Sequence, residues 1–375
     1  MLKILVTGDN HIGLKYANHT KKEEIIAARL NSLSRLVQKA NEEQCGLLAV
    51  TGDLFDGVNV SKKNVEAVVK ILSEFNETVA VLPGNHDYYD GNGKVWKYFE
   101  DASASCDKIA LLKKSAPYEF AAGEHDVVIY PAFCGSLHSN PGENNLDWIK
   151  NTVIDDDGKY HIGMAHGAVE GESLDKEGAY FQMNRKELYD IPVDVWLIGH
   201  THVPFPSDLS ESFSATNERI FNAGTHSQTN VSNNTEGLCF ILEIDQNKKI
   251  KAKKFKSGDL NFFRREIPVK DGLEKDLKQQ LKDIPDNSVV DITFCGSVSE
   301  DEYKNKKQII EKAGERFLEF DYNDSGLTRQ ITKGLIEKEF PETSVSAKLL
   351  LNLLENPKRA QMAYELLQSI KENTK

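Results

Sequence analysis

The stretch Leu47–Asp87, LLAVTGDLFDGVNVSKKNVEAVVKILSEFNETVAVLPGNHD, decides the fold. It holds two short apolar runs, Leu47–Val50 and Val79–Leu82, of the length and branched character expected of buried strands. Between them Ser61 stands where a helix N-cap belongs, and Val65–Leu72 carries helical spacing. Each run ends in a compact glycine motif, TGDLFD at 51–56 and PGNHD at 83–87. Such a strand–helix–strand unit predicts parallel strands joined by a right-handed crossover.

The same alternation extends outward. Lys3–Thr7 predicts a preceding strand. From Lys22 to Asn41, residues Ile25, Ile26, Leu30, Leu33, Leu36, Val37 and Ala40 recur at three- and four-residue intervals and predict a helix. Shorter strands are expected near Val127–Tyr130, His161–Met164, Val195–Ile198, Ile220–Phe221 and Leu238–Ile244. Fewer helices separate these strands, which implies a second sheet packed on the first. The pattern breaks at Ser257–Leu260, so a first domain is expected over 1–257, a smaller α/β module over 258–343 and C-terminal helices over 344–375. Within the later segments the spacing predicts helices at Leu273–Leu281 and Tyr303–Ala313, strands at Val289–Phe294 and Arg316–Phe320, and closing helices at Val345–Leu354 and Lys358–Ile370.

The chain has 375 residues, 46 basic and 58 acidic, for a formal net charge of −12. At roughly 150 residues per domain this length predicts two or three domains with ample core. Its 39% hydrophobic and 28% charged residues are ordinary for a globular chain. No run approaches the ~18 apolar residues of a membrane helix. MLKILVTGDN leads straight into a strand without the marks of a secretory signal. Cys45, Cys106, Cys134, Cys239 and Cys295 are scattered without a CxxC pair, so reduced thiols and a cytoplasmic location are expected. Taken alone, −12 argues against nucleic-acid binding. The charge is uneven, however: 21 basic and 36 acidic residues lie up to Asp245, and 25 basic and 22 acidic beyond it, or −15 and +3.

The chemistry-bearing residues sit at the carboxyl ends of the predicted strands, where open α/β sheets bind ligands. In order they are Asp9 and His11 in GDNHIG, Asp53 and Asp56 in TGDLFD, Asn85, His86 and Asp87 in PGNHD, His166 in MAHG, and His200 and His202 in IGHTH. The chain has ten histidines, and five of them fall at these points. Asp9/His11 and His200/His202 are spaced i, i+2, so in extended chain each pair leaves on one side. Oxygen and nitrogen donors without thiolate suit Mn²⁺, Fe²⁺ or Zn²⁺ rather than a cysteine-built structural zinc site. Seven candidate ligands exceed the needs of one ion and imply two ions sharing a carboxylate. Such a pair, ~4 Å apart, ionises a water and stabilises attacking and leaving oxygens in an in-line displacement.

The ordered set DxH, GDxxD, GNHD, H and GHxH resembles the calcineurin-like metallophosphoesterase superfamily over roughly Met1–Asp245. The resemblance implies a layered αββα sandwich followed by a small α/β capping domain. It implies one ion on Asp9, His11, Asp53 and His202, and a second on Asp53, Asn85, His166 and His200, with Asp53 as bridge. It also implies that His86 protonates the leaving oxygen and that Asp56 orients His86. DNHIG followed by LKY, GDLFD, and the trailing α/β module are similar to SbcD-like DNA repair exonucleases. Serine/threonine protein phosphatases carry Arg-Gly after the second acid of motif two, where Gly57 and Val58 stand here. The SbcD-like branch implies a manganese-dependent DNA exo/endonuclease, with DNA as substrate, an SbcC-type coiled-coil ATPase as partner, and dimerisation. Two alternatives are a phosphoesterase for a small substrate such as a cyclic nucleotide, and a silent scaffold for an ATPase.

A polynucleotide path needs cations. Lys248–Lys256, KKIKAKKFK, places Lys249, Lys251 and Lys253 on one face of an extended segment, either as a path for DNA or as a solvated edge strand guarded by lysine. Arg264, Arg265, Lys304, Lys306 and Lys307 add to the basic side. Lys15, Tyr16, Lys21 and Lys22 follow motif one, where Tyr16 either stacks on a base or packs half-buried. Met362, Leu366 and Ile370 form an i, i+4, i+8 stripe, which either packs on the chain's own module or docks a coiled coil.

Overall fold

The computed structural model describes residues 1–140, 142–170, 179–232 and 235–373. Its contacts divide the chain into two compact units, Met1–Phe262 and Phe263–Lys375.

The first unit contains, in chain order, β1 (Leu2–Thr7), α1 (Lys22–Glu42), β2 (Leu47–Val50), α2 (Lys62–Ser73), β3 (Thr78–Val81), α3 (Lys94–Ser103), β4 (Ile109–Leu111), β5 (Tyr118–Ala122), β6 (His125–Ala132), α4 (Asp147–Lys150), β7 (Tyr160–His166), α5 (Arg185–Asp190), β8 (Val195–Gly199), β9 (Ser214–Thr216), β10 (Ile220–Phe221), β11 (Leu238–Ile244) and β12 (Ile250–Lys256). One sheet has the order β4-β3-β2-β1-β11-β12-β9 and the other β10-β8-β7-β6-β5. Strands β1 to β4 are mutually parallel, and β11 runs antiparallel to β1.

Alternation along each strand explains the layering. Leu2, Ile4, Val6, Ala49 and Leu82 face Ile129, Ile162, Met164 and Leu197 of the other sheet in one core. From the opposite face of the first sheet, Leu5, Leu48, Val50, Val79 and Val81 meet Leu33, Leu36, Val65, Val68, Trp96 and Phe99 of α1, α2 and α3. Val128, Tyr130, Trp196 and Ile198 likewise pack against α4 and α5 through Ile149 and Leu188. The result is an αββα sandwich. Because the parallel strands of both sheets share a direction within each sheet, their carboxyl ends deliver the conspicuous motifs to loops rather than into the core.

The second unit holds β13 (Asn261–Val269, which begins just before the division), α6 (Leu273–Leu281), β14 (Ser288–Val298), α7 (Glu300–Gly314), β15 (Glu319–Arg329), α8 (Lys333–Glu339), α9 (Val345–Leu353) and α10 (Pro357–Asn373). The sheet order is β13-β14-β15, and Ile267, Leu277, Ile292, Phe294 and Ile310 are among its core. The expected strand at Arg316–Phe320 is corrected: the strand begins at Glu319, and Phe317 turns back onto Gly314. Helices α8 to α10 share a small core of Leu335, Ile336, Ala347, Leu350 and Tyr364. Among the described residues no helix is long and apolar enough to cross a membrane.

One glycine shows how tightly the sandwich is closed. Gly163 on β7 lies opposite Trp196 on β8, and a Cβ there would come within 2.3 Å of the indole ring. That ring is fixed by its Nε1–H, which donates to Leu188 O at 2.8 Å. Gly163→Ala is therefore expected to destabilise the protein by about 1–3 kcal/mol through overpacking, read as a lower urea midpoint. An unchanged midpoint would show that the indole can move aside.

Candidate metal centre

Five loops meet at the strand ends, and backbone hydrogen bonds fasten them to one another. Asp9 N donates to Gly52 O at 3.0 Å, His11 N to Asp53 O at 2.9 Å, Ile12 N to Leu54 O at 2.9 Å and Asp56 N to Ile12 O at 3.1 Å. The loop after β1 thus lies along the loop after β2. The backbone at the site is bent sharply: Asp9, His11, Asp53, His200 and His202 have φ of 48°, 43°, 50°, 118° and 56°. Such values are uncommon outside glycine and cluster at functional sites. Gly84 is required for a different reason. A Cβ there would stand 2.2 Å from Asp53 Oδ1.

The side chains converge. Asp9, buried, accepts the His200 N–H on both carboxylate oxygens, at 2.9 and 3.0 Å. His11 Nε2 lies 2.9 Å from His202 Nε2 and 3.6 Å from Asp53 Oδ2. Asp53 Oδ2 is also 3.3 Å from His166 Nε2, while its Oδ1 accepts the His86 N–H at 2.8 Å. Asn85 Oδ1 is 3.0 Å from both His166 Nε2 and His200 Nδ1. His166 Nδ1 faces Thr51 O at 2.9 Å, so it carries the proton and turns Nε2 inward. Candidate donor atoms lie within 4.8 Å of one another in three groups: Asp9, His11 and His202; His11, Asp53 and His86; and Asp9, Asp53 and His166. The structure therefore brings Asp9, His11, Asp53, Asn85, His166, His200 and His202 to one place, with Asp53 between the two halves.

The donor chemistry fits cations. His11 and His202 turn their Nε2 atoms toward each other, and the carboxylates of Asp9 and Asp53 lie beside them. Burial works against the Asp53 charge, yet His166, His11 and His86 hold its carboxyl far below the usual range. Burial alone would push the His166 imidazole down, but Asp53 raises it to about 9. His200 is pushed down to about 4 by burial and by His166.

Asp56, expected beside His86, has its Oδ1 3.5 Å from His11 Nδ1. The His86 side chain is exposed at the mouth, its ring edge-on to His11 at 4.7 Å. Asp87, quoted in the motif but given no role, is fully buried, and accepts the Gly84 N–H at 2.7 Å and the Phe55 N–H at 2.9 Å. Burial and the nearby Asp53 push its carboxyl up to about 7. An acid directly after His86 in the motif was the one available signal for it.

The basic residues lie elsewhere. Lys251 pairs in register with Glu243, level with Lys3 at the start of β1, so Lys249 and Lys251 sit toward the end of the sheet away from Asp9. Lys253 bonds Glu43 at 2.9 Å, and β12 is flanked by β9 rather than lying at the edge. Lys15 is exposed in the loop after β1. Tyr16 is half-buried, its ring stacked on Phe262 at 6.1 Å. Arg264 and Arg265 belong to the second unit, where Arg264 pairs with Asp291 at 2.8 Å and Arg265 bonds Gln280 O. Lys304, Lys306 and Lys307 pair with Glu300, Asp324 and Glu311.

A family model for calcineurin-like phosphoesterases matches residues 2–204, more than half of the chain. The chain belongs to this family. It is a family of metal-dependent phosphoester hydrolases, and the match falls within the first unit. The chain is similar to the uncharacterized metallophosphoesterase YhaO of Bacillus subtilis (strain 168), 24% identical over 212 residues, covering 54% of this chain and 48% of that protein. It is similar also to the DNA double-strand break repair protein Mre11 of Nanoarchaeum equitans (strain Kin4-M), 33% identical over 166 residues, covering 43% and 39%. The match thus spans less than half the length of either curated relative. Among solved structures, TT1561 of Thermus thermophilus aligns with a TM-score of 0.42 and 13% identity over 68% of this chain and 99% of its own.

Asp87 gives the site a stability test. Asp87→Asn keeps the size but sets an NH₂ against one of two buried backbone N–H groups. The expected loss is about 1–3 kcal/mol, the cost of an unsatisfied buried donor, measured by urea unfolding of the metal-free protein. Wild-type stability would show that these bonds do not hold the two loops.

Proposed function

We propose that the first unit is a dinuclear-metal phosphodiesterase acting on DNA, of the SbcD-like branch. One divalent ion would be held by Asp9, His11, Asp53 and His202, the other by Asp53, Asn85, His166 and His200, with Mn²⁺ favoured and Fe²⁺ or Zn²⁺ compatible with the same donors. The observation that carries this reading is the placing of Asp53 Oδ2, 3.6 Å from His11 and 3.3 Å from His166. Ions bound there would supply Lewis acidity to a water and to the phosphate oxygens. The protein's own residues then have distinct tasks. Asp56 takes the Nδ1 side of His11 and leaves Nε2 facing inward, as outer carboxylates do for histidine ligands. Asp9 fixes the backbone of His200. His86, exposed but anchored through its N–H to Asp53, is placed to give a proton to the departing oxygen.

DNA as substrate is supported by the similarity to a protein named as a DNA double-strand break repair protein, together with DNHIG and GDLFD. The reading extends to partners. On α10, Met362, Leu366 and Ile370 are 63%, 64% and 54% exposed, which favours docking of an SbcC-type coiled-coil ATPase over packing on the chain's own module. Homodimerisation is part of the same proposal. The five cysteines are free and suit the reducing cytoplasm.

The purified protein with Mn²⁺ is expected to release nucleotides from single- or double-stranded DNA and to cleave bis-p-nitrophenyl phosphate. Cleavage of the small ester alone would favour the small-substrate reading, and neither activity the scaffold. His86→Ser is expected to lower turnover by about 10²–10⁴-fold, the usual worth of a general acid, with Mn²⁺ uptake by calorimetry unchanged. Loss of metal in that variant would assign His86 to the ligands instead.

A further inference from the structure

Helix α1 buries Ile25, Leu33, Leu36, Val37 and Ala40. Arg29 lies on that same face, only 2% exposed, where the helical spacing calls for an aliphatic side chain. Burying a guanidinium is costly unless its donors are satisfied. No carboxylate forms an ion pair with it among the described residues. Three backbone carbonyls grip it instead, beside the Tyr16 hydroxyl. Nη2 donates to Asn10 O at 2.5 Å, and Nη1 to Ser227 O at 2.8 Å and Gln228 O at 2.9 Å.

The position of Asn10 gives this contact its meaning. Asn10 stands between Asp9 and His11, whose backbones are both left-handed. Its own Nδ2 donates to Thr7 Oγ1 at 3.1 Å, which ties it to β1. The other jaw is equally fixed. His226 Nε2 donates to Arg29 O at 3.0 Å, and the Gln228 side chain bonds both backbone groups of Phe262, at 2.8 and 3.2 Å. A planar fork is suited to spanning two jaws at fixed separation; a lysine ammonium is a point donor and is not.

We infer that Arg29 is a positioning residue for the metal centre: it grips the Asn10 carbonyl and so holds the strained backbone that aims Asp9 and His11. The inference rests on the reading of Asp9 and His11 as ligands of one ion. It explains a buried charge that core packing does not require.

The test is Mn²⁺ titration by calorimetry of full-length wild type, Arg29→Lys and Leu33→Ala, the last being a core substitution on the same helix. Thermal unfolding of each protein without metal reports the fold. Arg29→Lys is expected to bind one ion normally and the other roughly 10–100-fold more weakly, as when an outer-shell partner is lost. Leu33→Ala is expected to lose stability and keep both affinities. Wild-type binding by Arg29→Lys, or equal weakening of the same site in Leu33→Ala, overturns the inference. Wild type that takes up no Mn²⁺ overturns the ligand reading itself, and the inference with it. Should Arg29→Lys not fold, arginine-labelled wild type decides. With diamagnetic Zn²⁺ in place of Mn²⁺, the Arg29 guanidinium resonances are expected to shift as the weaker or stronger of the two ions binds, and their indifference to both overturns the inference.

Discussion

A buried carboxylate that must be surrounded by positive charge organises this protein. Asp53 is 1% exposed, and an ionised group in such surroundings is tolerated only when it is paired and hydrogen-bonded. Its partners come from three strand ends other than its own. His11 arrives from β1, His86 from the segment after β3, His166 from β7, and the Asp53 backbone itself from β2. No local arrangement of the chain could supply them. Both sheets must be assembled, in the right order and with their parallel strands aligned, before the charge of Asp53 is compensated. The site is therefore a consequence of the whole sandwich, and the sandwich explains why residues over a hundred positions apart stand 3.3 Å from each other.

The same assembly sustains backbone conformations that an isolated loop would abandon. A non-glycine residue in a sparsely populated region costs of order 1–3 kcal/mol, and five of the site residues adopt positive φ. They are held because neighbouring loops read each other's backbone, Asp9 against Gly52, His11 against Asp53 and Ile12 against Leu54. Asp87 adds two acceptors where the loops after β2 and β3 meet, and Arg29 closes the opposite side. The rigid parts of the site are thus mostly groups that would touch no substrate. His86, by contrast, carries its side chain exposed at the mouth while its N–H is held by Asp53.

How much of this was legible in the sequence depended on whether chemistry or placement carried the signal. The αββα sandwich and the gathering of Asp9, His11, Asp53, Asn85, His166, His200 and His202 were readable because strand ends and ligand-type residues coincide along the chain. The partner of Asp56 was not, because His11 and His86 sit edge to edge and only their orientation decides which ring a nearby carboxylate meets. Strand β15 was hidden for another reason. From Asp321 to Ser325 nearly every residue is polar, since one side of that strand is exposed, and the apolar residues that attract attention, Phe317 and Phe320, precede or open it. Strand β13 had no expected counterpart, because Arg264, Arg265 and Pro268 break up its apolar pattern. Arg29 was invisible because a charged residue on an apolar helical stripe looks like noise until its three carbonyl partners are in place.

The distribution of charge gains a physical interpretation from these contacts. The excess of acid before Asp245 is not spread evenly over an inert surface; Asp9, Asp53 and Asp87 are buried together at one end of the sandwich. Two lysines of β12, which promised a cationic track, answer acids of their own unit: Lys253 answers Glu43, and Lys256 answers Glu236 at 2.9 Å. Lys251 is level with Glu243, which Lys3 already approaches at 3.4 Å. Cations already paired in this way displace few of the counterions condensed on an approaching polyanion. Attraction for a phosphate in the first unit is then concentrated where acids and imidazoles converge and cations would bind, because ions there reverse the local sign of the field. A net charge of −12 and a phosphoester substrate are compatible on those terms, since a phosphate would be drawn to cations held among these acids and imidazoles and not to the overall charge of the chain.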